Sequence, residues 1–313
     1  MEHRKLGSLD VSLVGLGTNN FGMRCDEEQS AAVVRAALDA GVTFFDTADG
    51  YGGTKSEGYL GRALAGVRDE VVIATKFGPP IGGEGTGGGS ARWVRQAVED
   101  SLRRLGTDRI DLYQQHFPDT AVPIEETLGA LNELVEAGKV REIGNSNYSA
   151  EQIRQADAAA RAHGWARFVS AQNELNLLRR QPLVEVVPAC EQAGLGFLPY
   201  FPLASGLLTG KYRRGQDPPA DSRLALMPED RRAQAFTDEN FDLVEGLTAF
   251  AADHGHSLLD LAFAWLAGQP TIASVIAGAT RPEQVRANAA AAAWTLGPSD
   301  LSEVQAVIDR NRS

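Results

Sequence analysis

The sequence predicts an α/β protein that folds as a (β/α)8 TIM barrel with an extra C-terminal helix. Three observations predict this fold class: eight short apolar segments, helix-like segments between them, and glycines where several of the helix-like segments end. The 313 residues fit one barrel, and no linker-like stretch divides them, so residues 1–313 are expected to form one domain. An open, doubly wound parallel sheet is the alternative for the same alternating pattern.

The eight apolar segments are expected to be the strands of the barrel. Most of them lack a strict polar alternation, which is typical of parallel strands that are buried on both faces. In chain order they are residues 13–16, 43–45, 71–74, 110–113, 140–143, 168–171, 196–200 and 272–276.

Helical patterns with capping residues fill the segments between these strands. Serines are the expected N-caps and glycines the expected stops. The predicted caps are Ser30, Ser56, Ser90 and Ser149, the last with Gln152 in a capping box, and the predicted stops are Gly41, Gly106, Gly138 and Gly194. Further helices are expected over residues 124–135, from about 186 to 194, as a pair within 243–266, over 281–292 and over 301–310.

Two segments are expected to be long loops on the catalytic face of the barrel. Residues 78–89 are rich in glycine and proline, and residues 203–237 contain three prolines and many charges. Each follows a predicted strand, and the loops after the strands carry the active site in barrels of this class.

The composition excludes several classes of function. The net charge of −11 repels phosphate backbones, so no nucleic-acid partner is expected. No apolar run approaches the ~20 residues that span a membrane, and no apolar segment follows the charged N-terminus, so neither a membrane span nor a secretory signal is expected. Cys25 and Cys190 lack metal-ligand spacing, which predicts free thiols, no metal site and a cytoplasmic location.

Four ionisable residues lie at the ends of neighbouring predicted strands or just beyond them. Asp46, Lys76 and His116 end the second, third and fourth strands, and Tyr51 follows in the loop after the second. A tyrosine has a pKa near ~10, and an adjacent ammonium is expected to lower that pKa. A carboxylate keeps the lysine charged, and a histidine can orient a substrate carbonyl. The four groups therefore predict proton transfer to or from a carbonyl oxygen.

The motifs around these residues resemble those of the aldo-keto reductase family. Asp46-Thr47-Ala48-Asp49-Gly50-Tyr51 resembles the aspartate-to-tyrosine signature of the family, and residues 74–78 and 113–119 resemble its lysine and histidine strands. Further segments that resemble family blocks are residues 15–18, 143–148, 172–174, 199–212 and 276–288. The resemblance implies a barrel with a catalytic tetrad of Asp46, Tyr51, Lys76 and His116.

The resemblance also implies that NADP(H) binds in an extended pose across the barrel mouth. The sequence has neither a G-x-G-x-x-G fingerprint nor a Walker loop, which agrees with that mode of binding. The implied cofactor contacts are Gly17, Thr18 and Asp46; Ser146, Asn147 and Gln172 at the nicotinamide amide; Tyr200 stacked on its ring; Leu203, Ser205 and Lys211 at the pyrophosphate; and Gly278, Thr280, Arg281, Gln284 and Asn288 at the adenosine end.

Two features of the chain bear on specificity. Arg281 lies at a predicted helix start and offers a fork-shaped cation to a 2′-phosphate, so NADP(H) is expected over NAD(H). The candidate substrate-pocket residues are Asn20, Phe21, Phe117 and Tyr148, together with Tyr51, His116 and the two long loops. The chain departs from the common pattern of the family at Asn19, Asn145, Leu175, Phe201 and Ala287.

The function implied by the resemblance is reduction of an aldehyde or ketone to an alcohol, with Tyr51 as the proton donor. The same tetrad serves the reverse reaction, so a sugar or polyol dehydrogenase is an alternative. The family also includes potassium-channel β subunits, which use the fold and cofactor for regulation, so a cofactor-binding regulatory subunit is a second alternative. The expected partner is a small carbonyl or alcohol substrate.

Overall fold

The barrel predicted from the sequence is confirmed by a computed structural model, which describes residues 1–83 and 86–311. Eight parallel strands lie side by side in this part of the chain, and their order follows the sequence. They are β3 (Val14–Gly17), β4 (Phe44–Asp46), β5 (Val72–Phe77), β6 (Ile110–Gln115), β7 (Val140–Ser146), β8 (Phe168–Gln172), β9 (Gly196–Phe197) and β10 (Val275–Gly278).

The sheet curls until its first and last strands meet. Strand β10 pairs with β3 in parallel along one edge. On its other side, Phe197 of β9 forms a parallel bridge with Ile272, and the amide of Ile276 donates to the carbonyl of Pro199 at 3.0 Å. These contacts close the barrel, so the open doubly wound sheet is excluded.

Helices alternate with the strands, and most lie where the sequence predicts them. They are α1 (Glu27–Asp39), α2 (Lys55–Leu64), α3 (Ala91–Leu105), α4 (Ile124–Glu136), α5 (Ala150–His163), α6 (Val186–Ala193), α7 (Glu229–Ala235), α8 (Asp238–Asp253), α9 (Leu258–Ala267), α10 (Pro282–Ala291) and α11 (Pro298–Arg310). Helix α11 is the predicted extra C-terminal helix and packs on α8.

Two of the four predicted N-caps are wrong. Ser90 and Ser149 cap α3 and α5 as predicted, and Ser149 forms the capping box with Gln152. Helix α1 instead begins one turn before Ser30, because Asp26 caps it. The hydroxyl of Ser56 lies inside α2 and is hydrogen-bonded to Thr18 and Thr47. Both serines are buried, so tertiary partners compete with the capping role.

The sequence patterns miss an N-terminal hairpin. Strands β1 (His3–Leu6) and β2 (Leu9–Ser12) pair in antiparallel fashion before the barrel begins. Leu6, Leu9 and Val11 are buried in one cluster with residues of the barrel interior, among them Phe44 and Val72 at the beginnings of β4 and β5. The hairpin therefore covers the amino end of the barrel and leaves the carboxyl end open.

The two predicted long loops differ in the structure. Residues 203–237 contain a 3-10 segment (Ala204–Thr209) and helix α7, so the prediction of a structureless loop is wrong there. Residues 78–83 and 86–89 form no helix or strand, and Glu84 and Gly85 lie outside the described residues. None of the helices in the described ranges is long and apolar enough to cross a membrane.

Candidate active site

The carboxyl ends of the barrel strands surround a cavity of about 570 Å³. Parallel strands aim their last residues at one mouth, which is why residues distant in sequence meet there. Gly17, Asp46 and Gln172 end β3, β4 and β8, and all three line the cavity.

Lys76 is a fully buried cation beneath this mouth. Its Nζ donates to Asp46 Oδ2 at 2.7 Å and to the carbonyl of Thr47 at 2.9 Å. Burial lowers the pKa of Lys76, but the charges of Asp46 and Tyr51 more than offset that effect, and the net shift is upward. Lys76 therefore stays charged, which a buried lysine does only when it is paired.

Tyr51 lines the cavity directly above this ion pair. The Lys76 Nζ lies 5.2 Å from the centroid of the Tyr51 ring. Burial raises the pKa of Tyr51, and the Lys76 ammonium opposes that rise without reversing it. The expectation of a net lowering is therefore wrong, because desolvation of the phenolate outweighs the nearby charge. The phenol stays protonated at neutral pH and can donate a proton.

A tight turn fixes the loop that carries Tyr51. Gly52 follows with φ +61°, and a Cβ there would lie 2.1 Å from the carbonyl oxygen of Phe21. Only glycine fits both the left-handed backbone and the close approach. This loop is further held by the amide of Asp49, which donates to the carbonyl of Lys76 at 3.0 Å.

His116 completes the group one residue beyond β6. Its ring centroid lies 5.7 Å from that of Tyr51, nearly edge-on, and 4.9 Å from that of Phe117, in a stack. Burial and the nearby Lys76 lower the pKa of His116 to about 3. The imidazole is therefore neutral at physiological pH and can offer one N–H to a carbonyl oxygen. All four predicted tetrad residues thus come together.

Most of the predicted binding residues line the same cavity. The cofactor residues that do so are Gly17, Asp46, Ser146, Asn147, Gln172, Tyr200, Leu203, Ser205, Lys211, Gly278, Thr280, Arg281, Gln284 and Asn288. Of the substrate-pocket residues, Asn20 and Phe117 line it. The cavity therefore extends from the tetrad to the start of α10.

Three predicted site residues point away from the cavity and require correction. The Thr18 hydroxyl is buried against the carbonyl of Asp46 and Ser56. Phe21 is fully buried in the core, and the Tyr148 hydroxyl donates to Gln115 at 2.5 Å within the interior. Adjacent residues of an extended segment face opposite ways, so a correct motif position does not specify which side chain reaches the ligand.

The structure adds cavity residues that the sequence patterns miss. Arg24 and Arg223 both line the cavity, and the guanidinium of Arg223 lies 4.7 Å from the centroid of the Phe201 ring. With Lys211 and Arg281 they place four cations around a cavity in a chain of net charge −11. The only sequence signal for them is basic residues in loops that follow strands.

Arg281 is already paired across the cavity. Its Nη2 lies 2.8 Å from Asp221 Oδ2, and Arg24 donates to the backbone carbonyl of Asp221 at 2.8 Å. Asp221 belongs to the long segment after β9, so this segment reaches the end of the cavity beside the start of α10. Arg281 and Asp221 are exposed, and such ion pairs contribute little to stability.

A second buried charge cluster lies behind the tyrosine loop. Glu57 accepts hydrogen bonds from Thr75 and Arg104, both at 2.6 Å. Asp49 is fully buried nearby, and neither of its carboxylate oxygens has a hydrogen-bond partner among the residues that the structure describes. Burial and the charge of Glu57 raise the pKa of Asp49 to about 7. Glu57, Arg104 and Asp49 are not among the residues that line the cavity, and the cluster instead supports the loop that carries Tyr51.

A parallel barrel with a lysine, carboxylate, tyrosine and histidine at its mouth belongs to the class of barrels whose site is suited to proton transfer. Within the described part of the chain, no group of His, Cys, Asp and Glu could hold a metal ion. The aldo/keto reductase family model matches residues 13–309, and the chain belongs to this family. It is 38% identical over 314 residues to a probable aldo-keto reductase 1 of Glycine max, covering 96% of this chain and 87% of that protein.

Two further relatives carry a different description. A probable voltage-gated potassium channel subunit beta of Oryza sativa subsp. japonica is 36% identical over 320 residues, covering 98% of this chain and 97% of that protein. A protein of the same description from Arabidopsis thaliana is 35% identical over 320 residues, covering 98% and 97%. The chain is therefore similar along nearly its whole length to proteins described as reductases and as channel subunits.

Proposed function

We propose that this protein is an NADP(H)-dependent oxidoreductase that reduces an aldehyde or ketone to an alcohol. The observation that carries the proposal is the buried Lys76–Asp46 ion pair beneath a protonated Tyr51 at the barrel mouth. Keeping a lysine charged in the interior costs free energy, and a phenol beside it is a ready proton donor.

Each residue of the tetrad has a separate role in this proposal. Tyr51 donates its phenolic proton to the substrate oxygen, and Lys76 stabilises the phenolate that remains. Asp46 keeps Lys76 charged, and neutral His116 donates a hydrogen bond that orients the carbonyl. The bound cofactor supplies the hydride. The same groups serve alcohol oxidation, but a phenol with a raised pKa favours the reductive direction.

The cavity fits a dinucleotide with phosphates at one end. Lys211 lies beside Gly206, where a Cβ would meet the lysine Nζ at 2.9 Å, so the backbone approaches the cation closely. Helix α10 begins at Pro282 without a side-chain cap, and its N-terminal dipole would favour an anion, although the amide of Gln284 already donates to the carbonyl of Arg281 at 3.2 Å. Lys211 and Ser205 would hold the pyrophosphate, and Arg281 would hold a 2′-phosphate.

A paired assay tests this function. The purified protein is mixed with NADPH and a panel of aldehydes and ketones, and separately with NADP⁺ and a panel of sugars and polyols, while absorbance at the nicotinamide band is followed. We expect turnover in the first arm to exceed that in the second. Faster oxidation of polyols would support the dehydrogenase instead, and no tight NADPH binding would exclude both.

The descriptions of two relatives favour a second candidate function. A cofactor-binding regulatory subunit needs NADPH affinity but little turnover, so binding without reduction of any carbonyl in the panel would favour it. Under either function we propose that residues 1–313 act as one domain, with a cytoplasmic location and no nucleic-acid or membrane partner. The two buried free cysteines are compatible with that location.

A further inference from the structure

Asp49 is a buried carboxyl group on the loop that carries Tyr51, and the tetrad does not use it. Its side chain has no exposed surface, and both of its carboxylate oxygens lack a hydrogen-bond partner within the described part of the chain. A carboxylate in such a place loses its hydration and gains no donor in exchange. The geometry therefore favours the protonated, neutral acid at this position.

The charges on the two helices behind the loop do not offset this effect. Glu57 on α2 is a second acid without exposed surface. Arg104 on α3 faces both acids, but its Nε donates to Glu57 at 2.6 Å and its Nη2 to Ser101 at 3.3 Å. The guanidinium is thus engaged with Glu57, and the negative charge of Glu57 acts on Asp49.

The titratable groups on the barrel wall leave Asp49 without a donor as well. Lys76 on β5 is a second cation whose charge reaches Asp49, but its Nζ donates to Asp46 inside the barrel. Burial and the charge of Asp49 hold the pKa of Tyr113, on β6, well above its ordinary value, and the hydroxyl of this phenol has no partner among the described residues. Burial, and then the charge of Glu57, raise the pKa of Asp49 to about 7.

The backbone links Asp49 to the proposed proton donor. The amide of Asp49 donates to the carbonyl of Lys76 at 3.0 Å, and the amide of Tyr51 donates to the carbonyl of Ala48 at 3.2 Å. Gly52 then closes the turn in the left-handed region, where a Cβ would not fit. A loop this short and closely packed transmits a shift of Asp49 to Tyr51, two residues later.

On the basis of the function proposed above, we propose that Asp49 is a positioning residue whose neutral side chain keeps the Tyr51 loop in its catalytic position. Loss of the proton to solvent places a second negative charge beside Glu57. The carboxylate must then move to reach a donor, because none of the described donors lies within hydrogen-bond distance of it. That movement displaces the phenol of Tyr51 from Lys76, so turnover falls.

The pH dependence of turnover distinguishes this role, because three of the four tetrad residues do not titrate near neutral pH. The pKa of His116 is about 3, and the pKa values of Tyr51 and Lys76 lie above their ordinary values near ~10. These three groups keep their charge states between about pH 5 and pH 9. A fall in turnover centred near pH 7 therefore points to Asp49, whose pKa lies there.

The first measurement is kcat between pH 5 and pH 9, at saturating NADPH and carbonyl substrate. The kcat of the wild type should fall about 10-fold or more between pH 6 and pH 9, as for loss of one proton with a pKa near 7. Asp49→Asn is neutral at every pH, so its kcat should change by less than about 2-fold over this range. If Asp49→Asn shows the same fall as the wild type, the inference is overturned.

Glu57→Gln tests the direction of the effect in a second variant. It removes the charge that raises the pKa of Asp49 and releases Arg104, so the fall in kcat should begin about one pH unit lower, or further. A fall at the same pH as in the wild type, or at a higher pH, contradicts the inference. Asp108→Asn is the control, at a side chain that is 88% exposed. It should retain the wild-type profile, and a flat profile in this control would remove the assignment to Asp49.

Hydrogen exchange over residues 47–52 gives a second readout that needs no turnover. It is measured by mass spectrometry on the cofactor-free protein at pH 6 and pH 9 and corrected for the intrinsic pH dependence of exchange, while urea unfolding verifies that each protein stays folded. Opening of the loop should increase about 10-fold or more at pH 9 in the wild type, and not in Asp49→Asn. A purely structural role predicts equal opening at both pH values.

The two readouts separate this inference from the proposed function. A wild-type protein that reduces no carbonyl overturns the proposed function, and hydrogen exchange then decides by itself whether Asp49 holds the loop. A wild-type protein that reduces carbonyls with a kcat that is level from pH 6 to pH 9 overturns the role of Asp49 alone. Loop opening that is independent of pH overturns that role too, whatever the turnover.

Discussion

Lys76 has the highest desolvation cost among the proposed catalytic residues. It is fully buried and charged, and hydrogen bonds to Asp46 and the Thr47 carbonyl compensate in part for its lost hydration. Removing one partner of a buried ion pair costs far more than removing both. Tyr51 lies above this ion pair. Unlike Asp46 and Lys76, it both lines the cavity and carries a proton that it can donate at neutral pH.

The first prediction concerns the proton donor. Tyr51→Phe removes the phenol and little volume, so turnover should fall by ~10²–10⁴. NADPH affinity should persist, because the phenol is not among the groups proposed to hold the phosphates or the adenosine. Steady-state kinetics and cofactor titration on the same preparation measure both, and near wild-type turnover would contradict the assignment of Tyr51 as donor.

The second prediction orders the two residues below the tyrosine. Lys76→Met should nearly abolish turnover, whereas Asp46→Asn should weaken it less, because the lysine acts on the phenol and the aspartate acts through the lysine. Both variants disturb a buried pair, so turnover is compared under conditions of matched stability, set by urea unfolding. A greater loss in Asp46→Asn at matched stability would reverse the proposed roles.

The third prediction concerns Asp49 and pH. Its pKa rises from 3.8 to about 7 on folding, so between these values the unfolded chain is ionised while the folded protein is not. The contribution of Asp49 to the free energy of unfolding should therefore fall as the pH rises from about 4 to about 7, by ~1.4 kcal/mol per unit of pKa difference. Above about pH 7 this contribution should stay level. Asp49→Asn should remove this fall. The free energy of unfolding of the variant should therefore increase relative to that of the wild type between pH 4 and pH 7.

Urea unfolding at pH 5 and pH 8 measures that difference. Asp108→Asn is the control, because the side chain of Asp108 is 88% exposed and its removal should leave the pH dependence of the wild type. If the free energy of unfolding of Asp49→Asn depends on pH as that of the wild type does, then Asp49 is ionised in the folded protein. The upward shift of its pKa would then be contradicted.

At the scale of elements, the turn between β10 and α10 would set the choice of cofactor under the proposed function. Arg281 precedes the first residue of α10, where the helix dipole disfavours a cation unless an anion is nearby. Asp221 supplies that anion in the structure, through an exposed and therefore weak ion pair. A 2′-phosphate offers more charge and paired acceptors at the same place.

The fourth prediction follows from this turn. Arg281→Ala should weaken NADPH binding about 10- to 100-fold and change NADH binding little, because charged hydrogen bonds contribute ~1.5–3 kcal/mol and NADH has no phosphate there. Arg286→Ala is the matched control, on the same helix but outside the cavity lining. Equal losses for the two cofactors in titrations would refute a 2′-phosphate contact.

At the scale of the whole molecule, the barrel is closed at one end and open at the other. The β1–β2 hairpin fills the amino end with apolar side chains, whereas the carboxyl end holds the cations and the tetrad. The apolar hairpin cluster and the candidate site therefore lie at opposite ends of the barrel, an arrangement that is common in this fold. The net charge of the chain is −11, but four cationic side chains line the cavity and would attract an anionic ligand.

The fifth prediction tests this separation. Leu9→Ala in the hairpin removes a side chain that is 1% exposed, so the free energy of unfolding should fall by ~2–5 kcal/mol. NADPH affinity of the folded protein should not change. Leu226→Ala, at a leucine that is 63% exposed, is the control and should shift stability by less than ~0.5 kcal/mol. A loss of cofactor affinity in Leu9→Ala would contradict the separation.

The order of the eight barrel strands and of most of the helices between them was determined by the sequence itself. Apolar segments without alternation and caps such as Ser90 are local patterns in the sequence. Such patterns predict an element correctly where no tertiary contact overrides the local preference. The tetrad was also predictable, because Asp46, Lys76 and His116 are at or beside strand ends and barrel geometry brings such ends to one mouth. The family motifs at these positions pointed to the same residues.

Only the tertiary structure decided which side chains face the cavity and what else binds them. Phe21 and Tyr148 lie in the right motifs but point into the core, whereas Arg223, in the predicted long loop but in no recognised motif, lines the cavity. The direction of a side chain depends on the pleat and on its neighbours, which no local pattern contains. The hydrogen-bond partners of Asn147 come from segments 31 and 53 residues away, so these contacts form only once the barrel has closed.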